Sequence, residues 1–292
     1  MGYARKMGKA EIQRPIIIIG AARSGTKFLR DILASGSKTA VVPYDVNYVW
    51  RSGVSWESDD LLDPKALTQN RQRFIRKSLA GIARLKTDER LIEKTVANTL
   101  RVPFVEAVFP DAVYVHLIRD GKDVTESAMR QWKAPPNWRN LLKKLREMPL
   151  RNLDYVVWFG FNTLRGMVRG NKGGDVWGPR YAGISDDTAN RPLVEVCALQ
   201  WKFCVETALS DLASIPSDRV FEIRYEDLVN NPIALTDLVD KLGLPDKDVI
   251  LTKYKTLVNP TIGTGNSRLS KEDNASMQTI LEPTLTKLGY LK

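Results

Sequence analysis

Histidine and cysteine are nearly absent from this chain, and their scarcity removes whole classes of chemistry. His116 is the one histidine. Zinc sites built on several imidazoles and Ser-His-Asp triads are therefore excluded unless His116 itself takes part. The two cysteines, Cys197 and Cys204, stand seven residues apart in a segment with helical patterning. That spacing separates them by two turns, roughly 10 Å, too far for a disulfide, so they read as ordinary buried thiols. Long apolar runs are lacking too. Purely aliphatic stretches extend only a few residues, and Met1-Gly2-Tyr3-Ala4-Arg5-Lys6 leads into nothing apolar enough for a secretion signal or a membrane span. The expectation is a soluble, cytoplasmic protein with no transmembrane segment. Repeats and low-complexity tracts are missing as well.

What is present is an ordinary globular composition with a strong basic excess. The 292 residues are 43% hydrophobic, enough to bury a large core in one sizeable α/β domain or two closely joined ones. A formal net charge of +10 points to an anionic partner, but charge alone does not choose among nucleic acid, a membrane surface, an acidic glycan and a nucleotide.

Residues 1–14 read as a flexible basic arm, and 15–292 as a single domain. Ile16-Ile17-Ile18-Ile19 is a short continuous apolar run closed by Gly20, the pattern of a strand buried on both faces of a parallel sheet. Ala112 to Ile118 is a second such run, and Arg90 to Glu93 and Val220 to Ile223 are weaker ones. Helical patterns fall between them: Gly25 to Ala34, Pro64 to Leu85, Val102 to Phe109, Lys122 to Trp132 and Pro192 to Leu212. Pro232 to Leu242, a polar Gly/Thr/Asn stretch and a closing helix from Ser270 to Leu288 follow. Strands alternating with helices predict an α/β three-layer sandwich with a central parallel sheet, like that of P-loop NTPases. Residues 134–191, rich in Trp, Gly, Asn and Arg and without clean periodicity, read as a substrate-side insertion.

The segment Gly20-Ala21-Ala22-Arg23-Ser24-Gly25-Thr26-Lys27-Phe28 runs from a buried strand into a helix, so its backbone N–H groups and the positive helix end can face an anion. An anion-binding loop and an unremarkable strand-to-helix turn both fit. A Walker loop does not, because Gly25 is followed by Thr26 and then Lys27 rather than by Gly-Lys-Ser/Thr order.

Arg23-Ser24-Gly25-Thr26-Lys27-Phe28 resembles the 5′-phosphosulfate loop of sulfotransferases that use the nucleotide sulfate donor PAPS and release PAP. Glycan-modifying members commonly carry a basic residue after the Thr, as Lys27 is here. Val113 to Ser127 resembles that family's 3′-phosphate segment, in which an Arg at a strand end and a Ser eight positions later hold the phosphate; Arg119 and Ser127 have that spacing. An Arg fork holds phosphate oxygens bidentately, and the hydroxyl adds a neutral bond. Glu93-Lys94-Thr95 resembles the family's Glu-Lys-Thr-Pro strand end, with Val96 in place of the Pro. Arg224-Tyr225-Glu226-Asp227-Leu228 resembles the segment whose Tyr lies near adenine. Gly263-Thr264-Gly265-Asn266-Ser267-Arg268 sits where a C-terminal loop closes over the nucleotide, on a looser match.

The resemblance implies sulfuryl transfer from PAPS to a hydroxyl or amine by in-line displacement without a metal, with positioning and electrostatics supplying most of the rate. Arg23, Lys27 and Lys94 would stabilise charge, and Asp45, eighteen residues after Lys27, would be the base. The donor would be held by Arg23, Ser24, Gly25, Thr26, Lys27, Phe28, Arg119, Ser127, Tyr225, Thr264, Gly265, Asn266 and Arg268. Glu57, Asp59 and Asp60 are less well placed as bases, and mid-strand His116 reads as a packed structural residue. A carbohydrate acceptor is favoured by Lys27, Asp45 and Trp132, Trp138, Trp158 and Trp177, which either stack on sugars or form core. A homodimer is left open. The rivals are a P-loop kinase, which needs Walker order, and a basic nucleic-acid-binding module, for which no sheet motif, helix-turn-helix or zinc spacing appears.

Overall fold

The computed structural model describes residues 11–134, 176–263, 265 and 268–291. Most of the expected insertion, including Trp138 and Trp158, lies outside them.

Strand β1 (Ile16–Ile19) shows how the sequence builds the architecture. Its side chains alternate across the sheet, and all four are fully buried. Ile17 and Ile19 join one cluster with Trp50, Leu79, Phe104 and Val105, while Ile16 and Ile18 join another with Leu29, Ile32, Leu33, Val239 and Ile250. A strand packed on both faces has no polar side to show, which is why it reads as a run of isoleucines. Each such side chain stabilises the fold by about 1.5–3 kcal/mol.

The other strands are β2 (Thr39–Val41), β3 (Arg90–Glu93), β4 (Val113–Ile118) and β5 (Val220–Arg224). They form one parallel sheet in the order β2-β3-β1-β4-β5, with Ile16 opposite Ile92 on one side and Val113 on the other. The expected three-layer α/β sandwich with a central parallel sheet is present. Because consecutive β3 and β4 flank β1 on opposite sides, a crevice opens beyond the carboxyl ends of these strands, the usual ligand position in such sheets.

Helix α1 (Thr26–Leu33) buries Leu29, Ile32 and Leu33, one turn apart along one stripe. The short helix α2 (Asn47–Trp50) follows β2. The expected helix from Pro64 to Leu85 is instead a 3-10 turn at Pro64–Ala66 and then α3 (Gln69–Ala83). Thr68 separates them: its hydroxyl accepts from Arg71 N at 3.2 Å, making it the N-cap. Helices α4 (Val102–Val108) and α5 (Gly121–Lys133) flank β4. After the undescribed segment come α6 (Ile184–Asn190) and the long α7 (Leu193–Leu212). α8 (Tyr225–Asn230), α9 (Pro232–Leu242), α10 (Lys247–Leu257) and α11 (Lys271–Lys287) follow β5. α10 falls where the sequence read as polar and irregular; it buries only Ile250 and Tyr254, too thin a stripe to stand out.

Cys197 and Cys204 are free and buried in α7, and burial raises both thiol pKa values. Among the described residues no helix is long and apolar enough to cross a membrane.

Candidate active site

All five strands deliver residues to one end of the sheet. There a cavity of about 710 Å³ is lined by Arg23, Gly25, Thr26, Lys27 and Phe28 after β1, by Asp45 after β2 and by Lys94 after β3. Arg119 after β4 and Tyr225 after β5 complete this half of the lining.

The loop after β1 is bent by two left-handed residues. Gly25 has φ 95°, and a Cβ there would stand 2.5 Å from Cδ2 of Tyr225, so only glycine fits beneath that ring. Arg23, with φ 76°, adopts the same region without glycine's freedom. A side chain held there costs about 1–3 kcal/mol and persists where surroundings over-determine it. Arg23 Nε donates to Ser127 Oγ at 3.0 Å, and the Arg23 carbonyl accepts from Arg119 Nη1 at 3.3 Å. The expected pair of Arg119 and Ser127 is thus joined through Arg23. The first-turn N–H groups of α1 have no carbonyl within the helix to reach, and Thr26, Lys27 and Phe28 of that turn line the cavity.

Arg119 is nearly buried. Its guanidinium lies over the Tyr225 ring, 4.3 Å from the centroid, and Nη2 reaches Asp123 Oδ2 at 3.4 Å and the carbonyl of Thr261. Nε of Arg119 and the fully buried Oγ of Ser24 have no hydrogen-bond partner within the protein. Unmet buried polar groups are costly, and here both border a cluster of like charge. Desolvation, followed by repulsion from Arg130 and Arg119, lowers the Arg23 pKa. Crowded guanidinia with unmet donors fit an anionic ligand.

On the other side of the cavity Lys94, 8% exposed, approaches Asp45 Oδ2 at 3.6 Å. Asp45 also accepts from Val96 N at 3.0 Å and Asn47 N at 3.3 Å, which aim its carboxylate at the cavity. Beneath it Glu93 is fully buried and accepts from Trp50 Nε1, Asn98 Nδ2 and Thr95 Oγ1. Desolvation raises the Glu93 pKa. Thr95 Oγ1 in turn accepts from Val46 N at 3.2 Å, fixing the backbone beside Asp45.

The far wall is organised by Asp60, which is fully buried. It accepts from Arg51 Nη1 at 2.9 Å, Asn47 Nδ2 at 3.0 Å and Arg180 N at 2.8 Å, while Arg101 Nη1 lies 3.7 Å away. Asp60 N returns a bond to the Arg180 carbonyl at 2.7 Å. Trp56 and Trp177 line this wall. The other expected tryptophan in the described part, Trp132, is buried core.

Several expected residues stand apart from this arrangement. Lys27 lines the rim, but its ammonium is directed to Asp31 at 2.6 Å, with 76% of the side chain exposed. Arg268 is 3.7 Å from Glu126 and does not line the cavity, Gly265 packs on the Lys122 backbone, and Thr264 and Asn266 lie outside the described residues. His116 is fully buried in β4, and desolvation lowers its pKa to about 4, as a packed structural histidine requires. Sequence reasoning weighed Asp60 only as a less well placed base, and it missed Asp123 and Arg180. Among the described residues no cluster of His, Cys, Asp and Glu forms a candidate metal site.

The five-stranded parallel sheet, with a cationic loop at its switch point, has a P-loop-NTPase-like architecture. More narrowly, residues 15–158 match the sulfotransferase family, so the kinship read from the loop is borne out. The fold resembles that of sulfotransferase STF9 from Mycobacterium avium, with a TM-score of 0.55 and 13% identity over 95% of this chain and 77% of that one. The sulfotransferase domain from the curacin biosynthetic pathway aligns over 94% of this chain and 98% of its own, with a TM-score of 0.50 and 16% identity. Sulfotransferase STF1 from Mycobacterium tuberculosis H37Rv gives 0.50 and 13% over 94% of this chain and 76% of that one. An uncharacterized protein of Aquifex aeolicus (strain VF5) is 26% identical over 137 residues, which cover 41% of this chain and 17% of that protein.

Proposed function

We propose that the protein transfers a sulfuryl group from PAPS to a hydroxyl or amine of an acceptor, a carbohydrate in the first instance, and releases PAP. The observation that carries this reading is the cavity itself, with Arg23 and Arg119, whose Nε is unmet, on one side and Lys94 beside Asp45 on the other.

The donor supplies an activated sulfuryl group on a phosphate leaving group. Arg119 and Ser127, joined through Arg23, hold the 3′-phosphate, and Tyr225 gives the adenine a ring to lie against. Ser24, Gly25, Thr26 and Phe28 form the cradle for the 5′ end. Arg23, Lys27 and Lys94 stabilise charge developing on the transferring and leaving oxygens, which for Lys27 requires release from Asp31. Asp45 accepts the acceptor's proton. Fixed cations suffice for a sulfuryl group, which carries less charge than a phosphoryl group, so a metal-independent displacement is the step proposed. The sugar reading is supported by Trp56 and Trp177 on the acceptor wall. Two unlinked cysteines favour a reducing, cytoplasmic setting.

Thermal shift and calorimetry with PAP, with ATP-Mg and with oligonucleotides test the donor. Stabilisation by PAP above the other two is expected; stabilisation by ATP-Mg alone overturns the proposal in favour of a kinase. Labelled PAPS offered with a panel of sugar, phenol and amine acceptors then tests the acceptor class.

A further inference from the structure

Asp123 lies outside every role assigned above, yet it is 2% exposed and carries three polar contacts at the edge of the cavity. Its Oδ1 accepts from Gly265 N at 2.8 Å and its Oδ2 from Gly263 N at 2.9 Å. The same Oδ2 lies 3.4 Å from Nη2 of Arg119, which also donates to the Thr261 carbonyl. Gly265 is pressed so closely onto α5 that a Cβ there would stand 2.5 Å from the Lys122 carbonyl oxygen. One buried carboxylate and one guanidinium therefore hold the backbone at Thr261, Gly263 and Gly265, more than 130 residues further along the chain, against the start of α5. Two amide bonds to a buried carboxylate are charge-assisted and stronger than neutral ones.

Resting on the sulfotransferase reading, we propose that Asp123 is a positioning residue. It docks the backbone at Thr261, Gly263 and Gly265 beside Arg119, and this docking builds one wall of the nucleotide site, so donor affinity depends on a carboxylate that does not touch the donor. The sign of its effect separates this from plain electrostatics. A carboxylate 3.4 Å from Arg119 Nη2 opposes a phosphate on that same arginine, so on charge alone its removal tightens PAP binding. On the docking argument its removal weakens PAP binding.

The test uses Asp123→Asn and Gly265→Ala in the full-length chain, with PAP titrated by calorimetry and amide exchange followed without ligand. Asp123→Asn is expected to weaken PAP about tenfold, about 1.4 kcal/mol. Exchange should quicken at Gly263 and Gly265 while the amides of β1 and β4 keep their protection. Gly265→Ala leaves Asp123 in place, disturbs only the docked backbone, and is expected to weaken PAP in the same direction. Unchanged or tighter PAP binding in Asp123→Asn, or unaltered exchange at the two glycines, overturns the proposal. General loss of protection in both variants also overturns it, by assigning Asp123 to the stability of the fold. A wild-type chain that ignores PAP overturns the donor reading instead, and the ligand-free exchange still decides whether Asp123 docks this backbone.

Discussion

Replacing Arg119 with lysine keeps one positive charge and removes the planar fork, so it asks how much of the donor site depends on geometry. The structure gives the fork four engagements, Nη1 to the Arg23 carbonyl, Nη2 to Asp123 and to the Thr261 carbonyl, and its plane over Tyr225, and leaves Nε unmet. A lysine ammonium placed near Asp123 retains part of the Nη2 role and offers no counterpart to Nε or to the stacked plane. Loss of one charge-assisted contact to phosphate costs about 1.5–3 kcal/mol, which is roughly 10- to 150-fold in Kd. The assay is calorimetry with PAP and, in parallel, with 5′-AMP, which lacks the 3′-phosphate. Arg119→Lys should lose that factor for PAP and change little for 5′-AMP, since the contact removed is to the group 5′-AMP lacks. Equal losses for the two nucleotides, or PAP affinity within twofold of wild type, would refute the placement of the 3′-phosphate on Arg119.

Three further outcomes are expected. Asp45→Asn keeps the amide acceptor for Val96 N and should bind PAP as the wild type does, with turnover of labelled PAPS reduced by about 10²–10⁴; wild-type turnover moves the base elsewhere. Gly25→Ala sets a Cβ against Tyr225 in addition to the left-handed backbone cost of about 1–2 kcal/mol, so Gly25→Ala and Tyr225→Ala should couple in a double-mutant cycle of stabilities by about 1 kcal/mol; purely additive effects count against the contact. His116 is buried and neutral, with its pKa lowered from 6.5 to about 4 by desolvation. The unfolded chain therefore takes up a proton that the folded chain refuses, and stability drains as pH falls from about 6.5 to about 4, by about 3 kcal/mol. Urea midpoints of wild type and His116→Gln should diverge over that window, and parallel curves would show that the imidazole is not desolvated.

The sheet was legible because burial on both faces leaves a signature that needs no partner: four consecutive isoleucines cannot belong to a half-exposed strand. The loop after β1 was legible because Gly25 is demanded by a local turn. β2 was harder to read, since three residues at a sheet edge carry almost no pattern, and α10 was lost because only Ile250 and Tyr254 turn inward. Asp60, weighed only as a lesser base, and Asp123, not singled out at all, were hard to place for one shared reason. Asp60 and Asp123 look like any acidic residue in sequence, and their burial is set by partners such as Arg180, Gly263 and Gly265 that lie over a hundred positions away. Arg119 and Asp123 stand four apart, which reads as a surface ion pair although Arg119 precedes the helix. Lys27 is the opposite case, because the aspartate one turn on gives it a partner that the spacing alone discloses.

The knot around Asp60 bears on how this protein's selectivity can change. Residues 55–60, α2 and the segment at 177–180 are fastened to a single carboxylate, with Arg51 and Arg180 donating to carbonyls of the same turn. On the proposed function, the wall that faces the acceptor is therefore tied together through one carboxylate rather than built of separate loops. Reshaping it toward a new molecule means redrawing both ends together, whereas the donor half, whose cations come from β1 and β4, can stay as it is. Selection for altered acceptors would then leave paired changes across these two distant stretches of sequence.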